Sequence, residues 1–183
     1  MADYTLSSGD YMRPYRTQGT DGVSMQHGPE STAQVFLVGA LLEMDTQVST
    51  SNFRLRIALR SNSTVTSTGI VGVAAEAASS VTDATRIFWP VTPQIEYMAR
   101  TRGGLIQSTN VGGVYGIFFD STKNVHGVDL ANAVSTSIRT VVTGLIDSAG
   151  DSGGYVRFKF ATPNVSTTGS GGFAPMANPI RVG

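Results

Sequence analysis

The chain has 183 residues, with 13 basic and 13 acidic side chains, so its formal net charge is zero and only 14% of its residues are charged. This length fits one domain, with or without terminal extensions, and a neutral chain is a poor general binder of nucleic acid. The absence of cysteine excludes disulfides, thiolate metal sites and cysteine nucleophiles, and two histidines cannot form a three-histidine metal site.

Serine, threonine and glycine supply much of the polarity, with 40 Ser and Thr and 21 Gly residues. The sequence contains no run of about 18 apolar residues, so we expect no membrane-spanning helix. The first ten residues lack the basic and apolar regions of a secretory signal, so we expect no secretory targeting.

Residues 1–33 contain only two branched aliphatic side chains, Leu6 and Val23, among many small and polar ones. Such a segment buries too little apolar surface to offset its ordering entropy, so it is a flexible tail or an arm that orders on a partner. We favour the extended arm, and we expect its removal to leave a folded core. Tyrosine and methionine are enriched at interfaces, which makes five residues of this segment candidates for partner binding: Tyr4, Tyr11, Met12, Tyr15 and Met25.

Residues 34–161 form the predicted β domain. Its apolar side chains recur in short runs, several with the two-residue period of a half-buried antiparallel strand, and clusters of Gly, Ser, Asn and Asp separate the runs. The run 71–80 is ambiguous, and we predict a strand that continues into a short helix or a loop. The predicted strands are 35–44, 53–60, 86–91, 95–102, 114–120, 136–147 and 155–160.

Seven or more short strands without long amphipathic helices predict an all-β fold, an antiparallel barrel or sandwich of jelly-roll type. Strand count alone does not separate a barrel from a sandwich. Residues 162–183 are again rich in Gly, Ser, Thr and Pro, and we predict a C-terminal extension that is exposed or bound to a partner.

The sequence GDSGG at 150–154 matches the serine loop of chymotrypsin-like proteases, in which Ser152 would be the nucleophile. Such a serine needs a histidine base. His126 lies too close to Ser152 in sequence for that fold, and His27 lacks the strand context that the fold requires. We therefore interpret GDSGG as a glycine-rich hairpin turn and keep a trypsin-like hydrolase as an alternative.

The strand FRLRIALR places Arg54 and Arg56 on one face, opposite its apolar side chains. This face is either an ordinary solvated surface, which we favour, or a basic stripe that docks an acidic protein. Glu43 and Asp45 share a strand end, but the neighbourhood offers too few oxygen ligands for a metal. We predict no catalytic residue, no metal and no cofactor.

Three segments together resemble the capsid decoration, or cement, proteins of tailed bacteriophages: TGIVGVAAEAAS, RIFWPVTP, and the closing pair SIRTVVTGLID and GYVRFKF. The resemblance covers roughly residues 69–160 and consists of loose patterns rather than a catalytic motif. It implies a virion structural protein, made in the host cytoplasm, that binds the outside of the capsid as a homotrimer and clamps neighbouring major capsid subunits.

The resemblance thus makes the major capsid protein the expected partner, with no membrane or nucleic-acid ligand. A receptor-binding or glycan-binding β domain of a phage tail or fibre is a further alternative.

Overall fold

The computed structural model describes residues 11–17, 24–45, 54–58, 70–132 and 139–161. The described chain is almost entirely β, which confirms the predicted all-β class, and its single short 3₁₀ helix is Ser108–Asn110. The strands are β1 (Arg13–Thr17), β2 (Gln26–Pro29), β3 (Leu41–Asp45), β4 (Arg54–Ile57), β5 (Ile70–Ala74), β6 (Thr85–Pro90), β7 (Ile95–Arg102), β8 (Val114–Asp120), β9 (Val125–Asp129), β10 (Arg139–Leu145) and β11 (Tyr155–Phe160).

Five of these strands close into a barrel in the order β7-β11-β10-β8-β9. Neighbours around the barrel are antiparallel except at the closing seam, where β7 and β9 run parallel through the pairs Thr101–Val128 and Arg102–Asp129. A closed sheet has no free edge at this seam, so its strands are protected from pairing with other chains.

The seam between β7 and β9 extends over only part of β7. The first half of β7 pairs instead with β1, from Arg13 opposite Met98 to Thr17 opposite Ile95. A bulge interrupts β1 between Pro14 and Arg16. A proline and a bulge are both typical of an edge strand, because each disrupts further pairing.

The second sheet is antiparallel in the order β2-β6-β5-β3-β4. Its two outer strands approach each other, and an isolated parallel bridge joins Glu30, just after β2, to Leu55 of β4. Gly28 of β2 allows this approach, since a Cβ there would lie 2.9 Å from a methyl carbon of Leu55.

A continuous hydrophobic core connects the barrel and the second sheet. Tyr97, Phe158 and Phe160 pack together in this core, with ring centroids 5.3 to 6.1 Å apart; the first two rings stack, and Phe160 meets both edge-on. The Tyr97 hydroxyl donates to the carbonyl of Pro90 at the end of β6, 2.9 Å away. Burial raises the pKa of Tyr97 above its ordinary value, so the phenol keeps the proton that it donates.

His126 on β9 is a second polar link between the sheets. Its Nδ1 accepts the amide of Leu41 at 3.2 Å, and its Nε2 lies 3.2 Å from the carbonyl of Ala58, to which it donates as the neutral tautomer. The imidazole is fully buried and contacts the ring of Phe119, 4.7 Å between centroids. A neutral histidine therefore satisfies a backbone donor and a backbone acceptor that no strand pairs.

Most predicted strands are present with similar bounds, but one is much shorter than predicted. The run 35–44 contributes only Leu41–Asp45, because the preceding chain turns at Gly39, where φ is +81° and the backbone of Met12 lies against the glycine. The run 71–80 is a strand followed by a loop, without a helical turn. The predicted strand 136–147 is confirmed over Arg139–Leu145.

The N-terminal segment differs more from the prediction. Residues 1–33 were assigned to an arm outside the β domain, yet they supply β1 to the barrel sheet and β2 to the second sheet. Met12 and Glu30 are completely buried. The segment is ordered despite its few apolar side chains, because the backbones of β1 and β2 pair with β7 and β6. Its composition does not reveal these backbone contacts. Residues 162–183 lie outside the described part of the chain.

Glu30 fixes the loop between β5 and β6. Its carboxylate accepts the amides of Ser79 and Ser80, both at 2.8 Å, and the Ser79 hydroxyl at 2.9 Å, and Arg86 lies 3.5 Å away. A buried carboxylate is tolerated here because several donors surround it. The loop between β5 and β6 is thus attached to Glu30, just after β2.

We predict that deleting residues 1–33 prevents stable folding, contrary to the expectation from sequence. The deletion removes β1, β2 and the buried side chains of Met12 and Glu30. Circular dichroism and chemical unfolding should show loss of the cooperative transition. Deleting residues 1–10, which removes no described residue, is the matched control and should leave the transition in place. A folded 34–183 fragment would contradict the prediction.

We also predict that the fold loses stability as the solution is acidified. Burial lowers the pKa of His126 from 6.5 to about 4, so below pH 6.5 the unfolded chain binds a proton that the folded chain does not. The free energy of unfolding should fall by roughly 2 kcal/mol between pH 7.5 and pH 5. Urea unfolding at both pH values measures this difference. The variant His27→Gln should retain it, since His27 is exposed on β2, whereas an undiminished difference in His126→Gln would contradict the assignment.

Candidate interaction surface

The candidates of the N-terminal segment do not form one surface. Tyr4 lies outside the described residues, and Met12 is buried in the core, where it cannot contact a partner. Tyr11 is half-buried, with its Cβ beside the backbone of Gly39. Tyr15 and Met25 are about half exposed, at 47% and 52%, but they belong to different sheets.

Arg54 and Arg56 are both held by carboxylates of the chain itself. Arg54 forms a two-point ion pair with Asp83, at 2.7 and 2.8 Å. Arg56 contacts Glu43 at 2.7 Å and Asp45 at 3.4 Å, and both of these carboxylates are buried. The structure thus neutralises the positive face that the sequence of β4 suggests, and it gives Glu43 and Asp45 a partner other than a metal.

The GDSGG segment lies in the connection of the β10–β11 hairpin, which confirms its interpretation as a turn. Gly150 and Gly153 have φ of +102° and +66°, values that favour glycine. The loop pairs with the chain before the 3₁₀ helix, where the amide of Gly150 donates to the carbonyl of Ile106 at 2.7 Å. Both ring nitrogens of His126 are engaged at Leu41 and Ala58, so neither is directed to Ser152.

The outer side of the barrel carries a group of charged and aromatic side chains, of which Arg13 and Tyr15 are exposed and Glu96 is buried. We call it the barrel face and define it by eight side chains of β1, β7 and β11 that lie away from the seam. On β7 and β11, alternation separates these side chains from the core residues between them. The barrel face consists of Arg13, Tyr15, Glu96, Met98, Arg100, Tyr155, Arg157 and Lys159.

Arg157 lies at the centre of the barrel face and joins three other strands. Its guanidinium lies 4.0 Å from the buried carboxylate of Glu96 on β7 and 5.3 Å from the ring centre of Tyr15 on β1. It also covers Gly144 of β10, where a Cβ would overlap the guanidinium. Thr143, the neighbouring residue at the β10 bulge, donates its hydroxyl to Glu96. Glycine at position 144 therefore allows Arg157 to lie flat and hold Tyr15 at the surface.

A second arginine is fixed in the same way at the end of the barrel face. Arg100 lies 4.2 Å from the ring centre of Tyr155 and 3.4 Å from Asp147, and it donates to the carbonyl of Gly153 at 3.2 Å. Asp147 also accepts the amide of Tyr155 at 2.8 Å. Two arginine–tyrosine contacts therefore cross the barrel face, one between β7 and β11 and one between β11 and β1.

The seam of the barrel has a related arrangement. The ring of Phe118 on β8 covers Gly127 on β9, where a Cβ would lie 2.6 Å from the ring. Arg102 lies 4.3 Å above the centre of the Phe118 ring and pairs with Asp129 at 2.8 Å. These contacts reinforce the joint between β7 and β9.

Sequence reasoning missed the arginines and the tyrosine of β7 and β11. The alternation in IEYMARTR and YVRFKF places Arg100, Tyr155 and Arg157 on the outward faces of their strands. It does not say that these two strands are neighbours, and that pairing brings Arg157 opposite Met98 and Tyr155 opposite Arg100. The sequence predicts which side chains face outward on each strand, but it does not predict that the two strands are adjacent.

Within the described ranges, no group of three or more His, Asp or Glu side chains is placed to hold a metal ion. In the same part of the chain, no helix is long and apolar enough to cross a membrane. A scan of protein-family models, a search of curated proteins and a search of solved structures each found no match to the chain.

We predict that Arg157 holds β1 against the barrel. The variant Arg157→Ala removes the ion pair to Glu96 and the contact with Tyr15, and should lower the free energy of unfolding by about 1–2 kcal/mol. Amide hydrogen exchange at the non-proline residues of β1 should accelerate. Arg157→Lys keeps the charge without the planar group and should be intermediate. Unchanged exchange at these amides in Arg157→Ala would show that backbone pairing alone holds β1.

Proposed function

We propose that the chain is a non-catalytic virion structural protein that attaches to the outside of a tailed-phage capsid and clamps neighbouring major capsid subunits. The resemblance of residues 69–160 to capsid decoration proteins suggests this class. In this proposal the protein acts as a homotrimer, and the major capsid protein is its partner.

One observation carries the proposal: Tyr15 is held by Arg157 in an exposed position on an otherwise well-packed barrel. A large aromatic side chain that is fixed before binding loses little conformational entropy on contact, and tyrosine and arginine are the residues that most often dominate interfaces. The barrel face therefore has the composition of a contact surface.

The distribution of charge elsewhere is consistent with this role. In the second sheet, Arg54, Arg56 and Arg86 are each paired with carboxylates of the chain. These charged groups serve the fold, which is what a rigid binding module requires. A protein of this kind acts through shape and local contact, and many copies on one shell multiply a modest affinity.

Co-sedimentation with capsid shells tests the proposal. Purified chain is mixed with expanded, undecorated shells of the phage that carries the gene, and the mixture is separated on a sucrose gradient and imaged by electron microscopy. We expect the chain to migrate with the shells and to appear as added density on their outer surface. Shells that stay bare at saturating protein would contradict the proposed function.

A pair of matched variants then tests the contact surface. Tyr15→Ala should weaken shell binding by about tenfold or more, as expected for a central aromatic contact. Val81→Ala removes an exposed apolar side chain from the loop between β5 and β6, on the second sheet, and should change binding by less than about twofold. Equal binding by both variants would exclude the barrel face as the contact.

A further inference from the structure

We propose that the barrel face binds an acidic, extended polypeptide segment, with carboxylates of that segment meeting Arg13, Arg157 and Lys159. The inference rests on the proposed function in one respect, namely that the segment would belong to the major capsid protein. In this inference the basic surface is formed by β1, β7 and β11, and not by β4 as the sequence suggests.

The first argument is the excess of positive charge. The barrel face holds four cations, Arg13, Arg100, Arg157 and Lys159, against the carboxylate of Glu96 and that of Asp147 at its border. Glu96 is buried beneath Arg157, so the cation is the more exposed member of that pair. In a chain of zero net charge, this local excess favours an anionic partner at short range.

The second argument concerns the two cations at the sides of the barrel face. Among the described residues, Arg13 contacts the Met98 sulfur at 3.3 Å and the Tyr11 ring at 5.5 Å, and it has no carboxylate partner. Lys159 likewise has no carboxylate partner in that part of the chain, and its cross-strand neighbour is Val141. Both charges are therefore available to a ligand without breaking an ion pair between described residues.

The third argument is spacing. Arg157 and Lys159 are two residues apart on β11 and so lie about 7 Å apart on one face, which is also the repeat of alternate side chains in an extended peptide. Arg13 is two strands away, at a lateral distance of about 10 Å. A segment with acidic residues at alternate positions can thus place carboxylates at Arg157 and Lys159, and its other side chains can contact the exposed ring of Tyr15.

Two other occupants fit less well. Self-association would need a matching acidic surface. In and beside the second sheet, however, Glu43 and Asp45 are buried and Asp83 is paired with Arg54. Nucleic-acid binding generally depends on many unpaired cations along a phosphate backbone. The barrel face provides too small an excess for that, which leaves an acidic polypeptide as the ligand.

Fluorescence anisotropy with defined peptides tests the inference directly. The probe is a fluorescein-labelled decapeptide of alternating Glu and Ser, and its control has Gln in place of Glu. At about 20 mM salt we expect binding of the Glu peptide alone, and marked weakening at about 200 mM. The double variant Arg13→Glu/Lys159→Glu should lose about tenfold or more in affinity, and Lys123→Glu, on the β8–β9 turn, should stay within about twofold.

The experiment separates this inference from the proposed function, because it uses no capsid. Equal affinity for the Glu and Gln peptides, or equal loss in the double variant and in Lys123→Glu, would overturn the acidic ligand. Tighter binding of a ten-residue thymidine oligonucleotide than of the Glu peptide would overturn the choice of a polypeptide. If the double variant unfolds, Arg13→Gln/Lys159→Gln provides the decisive comparison, with an expected loss of about threefold or more.

Discussion

The link between the two sheets depends on a histidine that stays neutral. A barrel and a separate sheet present unpaired backbone groups to each other where their strands end, and buried groups of this kind are costly unless each finds a partner. His126 has one acceptor and one donor in a rigid ring, and it meets the amide of Leu41 and the carbonyl of Ala58 together. A charged imidazole has no acceptor, so the same low polarity that strengthens these bonds also requires the neutral form.

Beyond this link, most of the charged side chains described above stabilise the fold. Glu30 fixes one loop, the pair of Arg54 and Asp83 supports the same region, and Arg102 reinforces the barrel seam through Asp129. The cations of the barrel face differ in part. Arg100 and Arg157 each contact a carboxylate and a tyrosine ring, whereas Arg13 and Lys159 have no carboxylate partner among the described residues. These two charges distinguish the barrel face from the second sheet, whose arginines pair with carboxylates.

Local patterns in the sequence identified the class of the fold and the bounds of several strands, but not their arrangement. Alternating side chains predicted β7 and β11 correctly, because each has one buried and one solvated face. The strand β9 was missed because all five of its residues are buried and show no alternation. The turn before it is held by Asp120, whose carboxylate accepts the amides of Thr122 and Lys123. For the candidate site, the sequence predicts Tyr15 as a contact residue. It also suggests Arg54 and Arg56, because it does not show the carboxylates that the fold brings to them.

The pairing of β1 with β7 also sets an order of events during synthesis. About 80 residues separate these strands, so the first strand leaves the ribosome several seconds before its partner exists, at about 5–20 residues per second. In that interval its backbone groups are open to incorrect pairing. Pro14 and Arg13 oppose such pairing, because Pro14 lacks an amide proton and the charge of Arg13 repels a second copy of the same strand. The features that mark the edge of the finished sheet thus also protect the nascent chain.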